Sequence, residues 1–331
     1  MADLNAWRTR IDAASERLAG RVIRTELRRA AGLSRHCGVP IWLKLENRQT
    51  TGSFKLRGAT NAIALLTAQD RAQGLVTAST GNHGRALVHA TTAAGACCAV
   101  FISTLVPRNK LEALQALGAT IRVVGRSQDE AEDAARALAS AEGMTFVPPF
   151  DDPAVIEGQG TIGAEILADL PDVDLVLVPL SGGGLAAGVA AAIKARRPGV
   201  RVIGVSMARG AAMHASLQAG RPVEMEEMLS LADSLGGGLG RNNRHTFAMA
   251  RDLLDGVLLV SEAKIAAGIR AAAAEGEVVE GAGAVGIGAL LAGKVALRGP
   301  VVALLSGSNI DPHLHRRILE SDDLPCHASA S

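Results

Sequence analysis

The chain has 331 residues, with 34 Lys and Arg against 33 Asp and Glu, and 48% of it is hydrophobic. That is enough apolar material for one large or two moderate globular domains, while the near-neutral balance, five Phe, two Trp and no Tyr offer nucleic acid neither a basic field nor stacking surfaces. Charges at Asp3, Arg8, Arg10 and Asp12 interrupt any signal-peptide core and no long uncharged apolar run follows, which disfavours secretion and membrane spanning; Cys37, Cys97, Cys98 and Cys326 lack zinc-type or disulfide-dense spacing, which points to a reduced, cytoplasmic compartment.

Residues 11–29 mix arginines with Asp12, Glu16 and Glu26 and read as a surface helix and connector rather than a transit peptide. Next comes Lys44-Leu45-Glu46-Asn47-Arg48-Gln49-Thr50-Thr51-Gly52-Ser53-Phe54-Lys55-Leu56-Arg57-Gly58-Ala59. A Thr-Gly-Ser turn ahead of the apolar-periodic positions Phe54, Ala59, Ala62, Ile63 and Leu66 makes Ser53 the expected N-cap and puts Lys55 in the first helical turn. The helix dipole and the apolar Phe54 disfavour a charge there and push the amine toward its neutral, nucleophilic form, which a Schiff-base lysine requires. An arbitrary lysine is a solvated surface residue; the neighbours single this one out.

Apolar runs at 75–78, 99–102, 121–124, 175–178, 202–205, 257–260 and 301–305 read as strands, and Ala/Leu-rich patterns at 109–117, 130–141, 185–195, 263–274 and 284–291 read as helices. The alternation predicts an α/β fold, a mainly parallel sheet covered by helices. Adjacent Cys97 and Cys98 fit a strand that alternates faces. Pro148-Pro149, followed by Asp151-Asp152-Pro153, is the clearest punctuation and suits a crossing between lobes.

Ligand sites in such sheets lie in loops after strand ends, and three of those loops are chemically specialised. Ser181-Gly182-Gly183-Gly184-Leu185 joins a strand to a helix, so free N–H groups and the helix dipole converge where an anion can approach closely. A turn needing glycine only for packing is the plain alternative. A dinucleotide fingerprint, Gly182-x-Gly184-x-x-Ala187, also fits formally, but it is not in the first strand-helix unit and no ribose-binding acid follows Val205-Ser206-Met207. Ser79-Thr80-Gly81-Asn82-His83-Gly84 offers hydroxyl, amide and backbone donors to a second anion, a substrate carboxylate. His83 invites an acid/base role, although a lone histidine in such a loop is more often structural. Ser306-Gly307-Ser308-Asn309-Ile310-Asp311 alone reads as ordinary turn chemistry. With Lys55, the three loops predict one composite site.

The run Ser53-Phe54-Lys55-x-Arg57-Gly58-Ala59 resembles the catalytic-lysine segment of fold type II pyridoxal-phosphate enzymes, in the branch of threonine and serine dehydratases and serine racemases. The resemblance implies a tryptophan synthase β-like architecture of two open, mainly parallel sheets with helices on both faces. It also implies a large domain from residues 1–65 and 151–331 and a small domain from 66–150. Pyridoxal 5'-phosphate is the implied cofactor, with Lys55 as its Schiff-base lysine and the α-proton base, and Phe54 against the ring. Ser181, Gly182, Gly183, Gly184 and Leu185 would hold the phosphate; Ser181 replaces the first of the family's four glycines, which leaves backbone donation intact. Ser79, Thr80, Gly81, Asn82 and His83 would grip the α-carboxylate, with Asn82 reaching the phenolic oxygen. Glu280 matches a glutamate near the ring, although Gly281 stands where the family has Pro or Ser-like residues.

By the same resemblance Ser306 faces the pyridine nitrogen. A neutral hydroxyl does not enforce a protonated ring, which favours prompt loss of a β leaving group over transamination. Ser206 stands where metal-dependent relatives carry a glutamate, so no metal is expected. The implied reaction is β-elimination from a 3-hydroxy amino acid, giving a 2-oxo acid and ammonia. Racemisation, which needs a second acid on the opposite face, is the nearest alternative; Thr80, the second candidate catalytic residue, stands where racemases have serine and keeps the hydroxyl with a restricting β-branch. A non-catalytic cofactor-binding protein and a nucleotide-binding oxidoreductase are further alternatives. Residues 232–244 resemble the dehydratase of hydroxyectoine utilisation, which implies a 3-hydroxy diamino acid substrate. The expected partners are a small amino acid and further copies of the chain, a dimer first, with no trailing regulatory domain. Arg241 and Arg244 read by default as an exposed face.

Overall fold

A computed structural model describes residues 3–79, 81–104, 106, 108–126, 128–240 and 242–320. Its strands are β1 (Leu27–Arg29), β2 (Ile41–Lys44), β3 (Leu75–Ala78), β4 (Cys98–Ile102), β5 (Thr120–Val123), β6 (Thr145–Phe146), β7 (Leu175–Pro179), β8 (Arg201–Met207), β9 (Gly256–Val260) and β10 (Val301–Leu304). Six form a sheet in the order β1-β2-β10-β7-β8-β9, parallel except for the antiparallel β1–β2 edge; four form a parallel sheet in the order β5-β4-β3-β6. The mainly parallel α/β expectation holds, as do all seven expected strands.

Alternation of side chains explains how each sheet is covered twice. In β7 and β10, Val176, Val178, Val302 and Leu304 enter one buried cluster, whereas Leu175, Leu177, Val301 and Ala303 enter another. Strands buried on both faces are selected for unbroken apolar runs. The first cluster is closed by α1 (Leu4–Leu18), α8 (Pro153–Asp169) and α9 (Gly184–Lys194), through Ile11, Ile156 and Ala190. The second is closed by α12 (Glu262–Ala274) and α13 (Gly281–Leu291), through Ile265 and Ile287. The smaller sheet repeats the pattern: Leu75, Val100 and Ile102 face one way, Val76, Ala99 and Phe101 the other. Cys98 is buried at the start of β4 and Cys97, just before it, is exposed.

Between the sheets runs α3 (Lys55–Leu65), packed on α8 and on α5 (Asn82–Ala93). Residues 11–29 are not simply helix and connector, because β1 pairs Leu27 with Lys44 and Arg29 with Trp42. Among the described residues no helix is long and apolar enough to cross a membrane.

Candidate active site

Lys55 is the first residue of α3, one step later than a Ser53 cap would place the start of the helix. Phe54 occupies the N-cap position with helical dihedrals and no side-chain cap, while Ser53 is drawn into an antiparallel bridge with Gly307. Phe54 N–H donates to the Ser306 carbonyl at 3.0 Å and Ser308 N–H to the Gly52 carbonyl at 2.8 Å. The lysine segment and the loop after β10 are therefore one hydrogen-bonded unit, with Ser306 buried inside it.

The Lys55 ammonium donates to the Pro149 carbonyl at 2.5 Å and stands 5.3 Å from the Phe54 ring centroid. Desolvation by burial lowers its pKa to about 8, against the opposing pull of Glu280. A half-buried amine with its pKa this close to neutral pH is a nucleophile and base in waiting.

Loop 79–84 leads from β3 into α5. Gly84 is obligatory there, because a Cβ would collide with the Ser79 carbonyl. Asn82, the first residue of α5, donates to Glu280 Oε1 at 2.8 Å and accepts from Asn309 Nδ2 at 2.6 Å. Ser79 and Gly81 flank it, half-buried; Thr80, expected as a catalytic and carboxylate-binding residue, lies outside the described residues, as do Arg241 and Cys326. His83 turns inward, with Nε2 3.0 Å from the Val147 carbonyl. Burial, followed by the Lys55 charge, pushes it down to about 3 despite that carbonyl, so the ring is neutral. Its surroundings are those of a structural histidine.

The glycine loop opens α9 after β7, with Gly183 in the left-handed region at φ 92°. A Cβ on Gly182 would stand 2.5 Å from the Phe150 ring, and one on Gly183 2.7 Å from Met213 Cε. With three glycines between them, Ser181 and Leu185 bracket a backbone cradle at a helix N-terminus, so that Ser181, Gly182, Gly183, Gly184 and Leu185 are suited to a phosphate. Phe150 belongs to the Pro-Pro-Phe-Asp punctuation, whose role sequence reasoning missed: Pro149 receives Lys55, Phe150 floors the cradle, and Asp151 accepts from the N–H groups of Arg244, His245 and Thr246 at 2.6–2.9 Å. Arg244 itself is exposed.

Glu280 is buried immediately before α13. Gly281 departs from the Pro or Ser-like residue of the resembled family because a Cβ would collide with the Leu231 carbonyl. Ser206 is buried at the end of β8, and no group of three His, Cys, Asp or Glu that could hold a metal occurs among the described residues. Arg85, donating to Asn309 Oδ1 at 3.1 Å, is a further polar neighbour that carried no motif of its own.

A half-buried amine of lowered pKa, a glycine-lined anion cradle and a buried Ser306 fit the aldehyde, phosphate and ring of pyridoxal phosphate. A family model described as pyridoxal-phosphate dependent enzyme matches residues 18–307. A Sinorhizobium fredii protein provisionally named threonine dehydratase is 56% identical over 93% of this chain and 94% of its own length. The L-threonine ammonia-lyase of Geobacter sulfurreducens is 44% identical over 92% of this chain and 75% of its own. Among solved structures, the processed form of threonine deaminase isoform 2 from Solanum lycopersicum superposes with a TM-score of 0.87 at 34% identity, covering 96% of this chain and 88% of that one. Maize serine racemase gives 0.89 at 29% identity, covering 95% and 96%. The chain belongs to the family of pyridoxal-phosphate dependent enzymes, with the fold type II architecture and pyridoxal 5'-phosphate as its cofactor.

Proposed function

We propose that the enzyme removes water from a 3-hydroxy amino acid and releases a 2-oxo acid and ammonia, as the names of its threonine dehydratase and ammonia-lyase relatives suggest. The observation that carries this reading is Lys55: a half-buried amine whose pKa is lowered to about 8, held between the Pro149 carbonyl and the Phe54 ring. Pyridoxal phosphate, when bound, supplies the electron sink for the charge left at Cα. Lys55 would hold the cofactor at its aldehyde and, as a free neutral amine, would take the α-proton. The lowered pKa favours the neutral amine that such a base must be. Ser181, Gly182, Gly183, Gly184 and Leu185 anchor the phosphate. Ser79, Gly81 and Asn82, with Thr80, hold the carboxylate. Phe54 would pack against the ring and Glu280 would border it. Ser306 would offer the pyridine nitrogen a neutral hydroxyl, which favours expulsion of the β-hydroxyl. The released enamine then becomes 2-oxo acid and ammonia in water. Neutral His83 serves this loop as a brace.

The narrower reading, a 3-hydroxy diamino acid derived from hydroxyectoine, is supported by the sequence alone. That support is the resemblance carried by residues 232–244, whose exposed Gly240 leaves its surroundings open to solvent. We also read residues 66–150 as the small domain, since β3 to β6 all fall there, and the working form as a cytoplasmic homodimer.

The test measures 2-oxo acid release and D/L interconversion across a set of 3-hydroxy amino acids of increasing side-chain length. Release without interconversion supports the proposal; interconversion without release makes the enzyme a racemase. Turnover confined to serine and threonine sinks the diamino acid reading.

A further inference from the structure

Four side chains join the lysine-bearing half of the site to α5 in an ordered series. Arg85 Nη1 donates to Asn309 Oδ1 at 3.1 Å, Asn309 Nδ2 donates to Asn82 Oδ1 at 2.6 Å, and Asn82 Nδ2 donates to Glu280 Oε1 at 2.8 Å. Two amides in contact could run in either direction, because each carries an acceptor oxygen and a donor NH2. The ends decide the direction. A guanidinium can only donate and an ionised carboxylate can only accept, so the oxygen of Asn309 must face Arg85 and the NH2 of Asn82 must face Glu280. A second donation from Asn309 Nδ2, to the Thr51 carbonyl at 3.0 Å, requires the same orientation.

The cation is not there by default. Arg85 is half-buried, and burial works against its charge while Glu280 at the far end of the series works for it. A neutral amide at position 85 would avoid that cost, but it could turn either end toward Asn309 and would no longer reinforce the orientation that the Thr51 carbonyl and Glu280 favour. We propose that Arg85 is a positioning residue that, through Asn309, holds the Asn82 amide with its NH2 toward Glu280 and so keeps a donor, never an acceptor, on that side of the site. The inference rests on the reading that Asn82 and Glu280 border the bound cofactor.

The test uses the holoenzyme and its Arg85→Gln, Arg85→Lys, Asn309→Ala and Arg85→Gln/Asn309→Ala variants. Three quantities are read: the visible cofactor band without substrate, the melting temperature, and kcat and KM on a 3-hydroxy amino acid. In Arg85→Gln the band should shift and kcat fall roughly tenfold with KM within about twofold, the loss expected of one hydrogen bond involving a charge. Arg85→Lys, still an obligate donor, should keep the band and hold kcat within about threefold. In the Asn309→Ala background, Arg85→Gln should add less than about twofold, because the two act in series. A wild-type band in Arg85→Gln, an undiminished effect in the Asn309→Ala background, or Arg85→Lys no better than Arg85→Gln would each overturn the proposal. If Arg85→Gln does not fold, a folded Arg85→Lys with an altered band overturns it and one with the wild-type band supports it. The band needs no turnover, so an enzyme inactive on every 3-hydroxy amino acid refutes the proposed reaction while the band still decides the role of Arg85.

Discussion

Removing one carboxylate from the buried charge cluster behind Lys55 should cost several kcal/mol, and the cost should shrink as the pH rises. Glu165 accepts from Arg57 at 2.6 and 2.9 Å and from Lys44 at 2.5 Å, and Glu46 accepts from Arg57 at 2.7 and 2.9 Å. Lys44 and Glu46 are 0% exposed, Arg57 1% and Glu165 15%, so two cations and two anions balance almost out of reach of water. Glu165→Gln keeps the shape and leaves one uncompensated positive charge. Breaking such a pair costs about 3–5 kcal/mol. With an unfolding entropy of about 2.1 cal/mol/K per residue over 331 residues, the melting temperature at neutral pH should fall by about 4–7 °C. The Lys44 pKa is already lowered, by burial first, and Glu165 is the leading influence holding it up. The unfolded chain therefore binds more protons than the folded one between the folded pKa of Lys44 and the unfolded value of about 10.4, and stability rises with pH across that interval. In Glu165→Gln the interval extends to lower pH, because Lys44 can escape the imbalance by losing its proton. Thermal unfolding of both proteins, with pyridoxal phosphate held saturating, should show a gap that narrows as the pH rises from neutral toward the unfolded lysine value of about 10.4. A gap below about 1 kcal/mol, or one that stays constant over that range, would refute the idea that buried charge balance holds this region together.

The Lys55 amine in cofactor-free protein should react with an acylating reagent with a midpoint near its pKa of about 8, whereas an unperturbed lysine titrates near 10.4; mass mapping of the labelled residue against pH tests this, and a midpoint at the unperturbed value contradicts it. Lys55→Ala should bind pyridoxal phosphate without the borohydride-sensitive visible band, which an absorption spectrum before and after reduction will decide. Gly182→Ala should weaken cofactor affinity about 10- to 100-fold, since the new Cβ would stand 2.5 Å from the Phe150 ring and misplace charge-bearing hydrogen bonds. Phe150→Ala in the same chain should restore part of that affinity in an apoprotein titration; no recovery would show that Phe150 is not the obstacle. The neutral His83 should contribute no limb to the rate profile between about pH 5 and 9, so His83→Asn should lower the melting temperature and leave the profile's shape unchanged.

Where structure follows from local or periodic demands, it was legible along the chain. The unbroken apolar runs of β7 and β10 meet the requirement that both faces be covered, and the glycines at 182–184 announce a backbone-lined anion site because no side chain is there to do anything else. What was not legible depends on partners far away in sequence. β1 has two arginines in three residues and carries no strand pattern of its own; pairing with β2 makes it a strand. β2 in turn ends on Lys44, a charge that looks like a surface residue until Glu165, 121 residues on, is placed against it. Ser53 has the right chemistry for an N-cap and loses that role to a bridge with Gly307, formed only when the chain returns. The same distinction divides the site. Lys55, Asn82 and Ser306 stand in motifs that can be read one at a time, whereas the direction of the donors between them is set by contacts spanning 198, 224 and 227 residues. A motif names the group that reacts, but only the fold can state which way its neighbours face, and in a site of ambidextrous amides the residues able to enforce a direction are the charged ones at the ends.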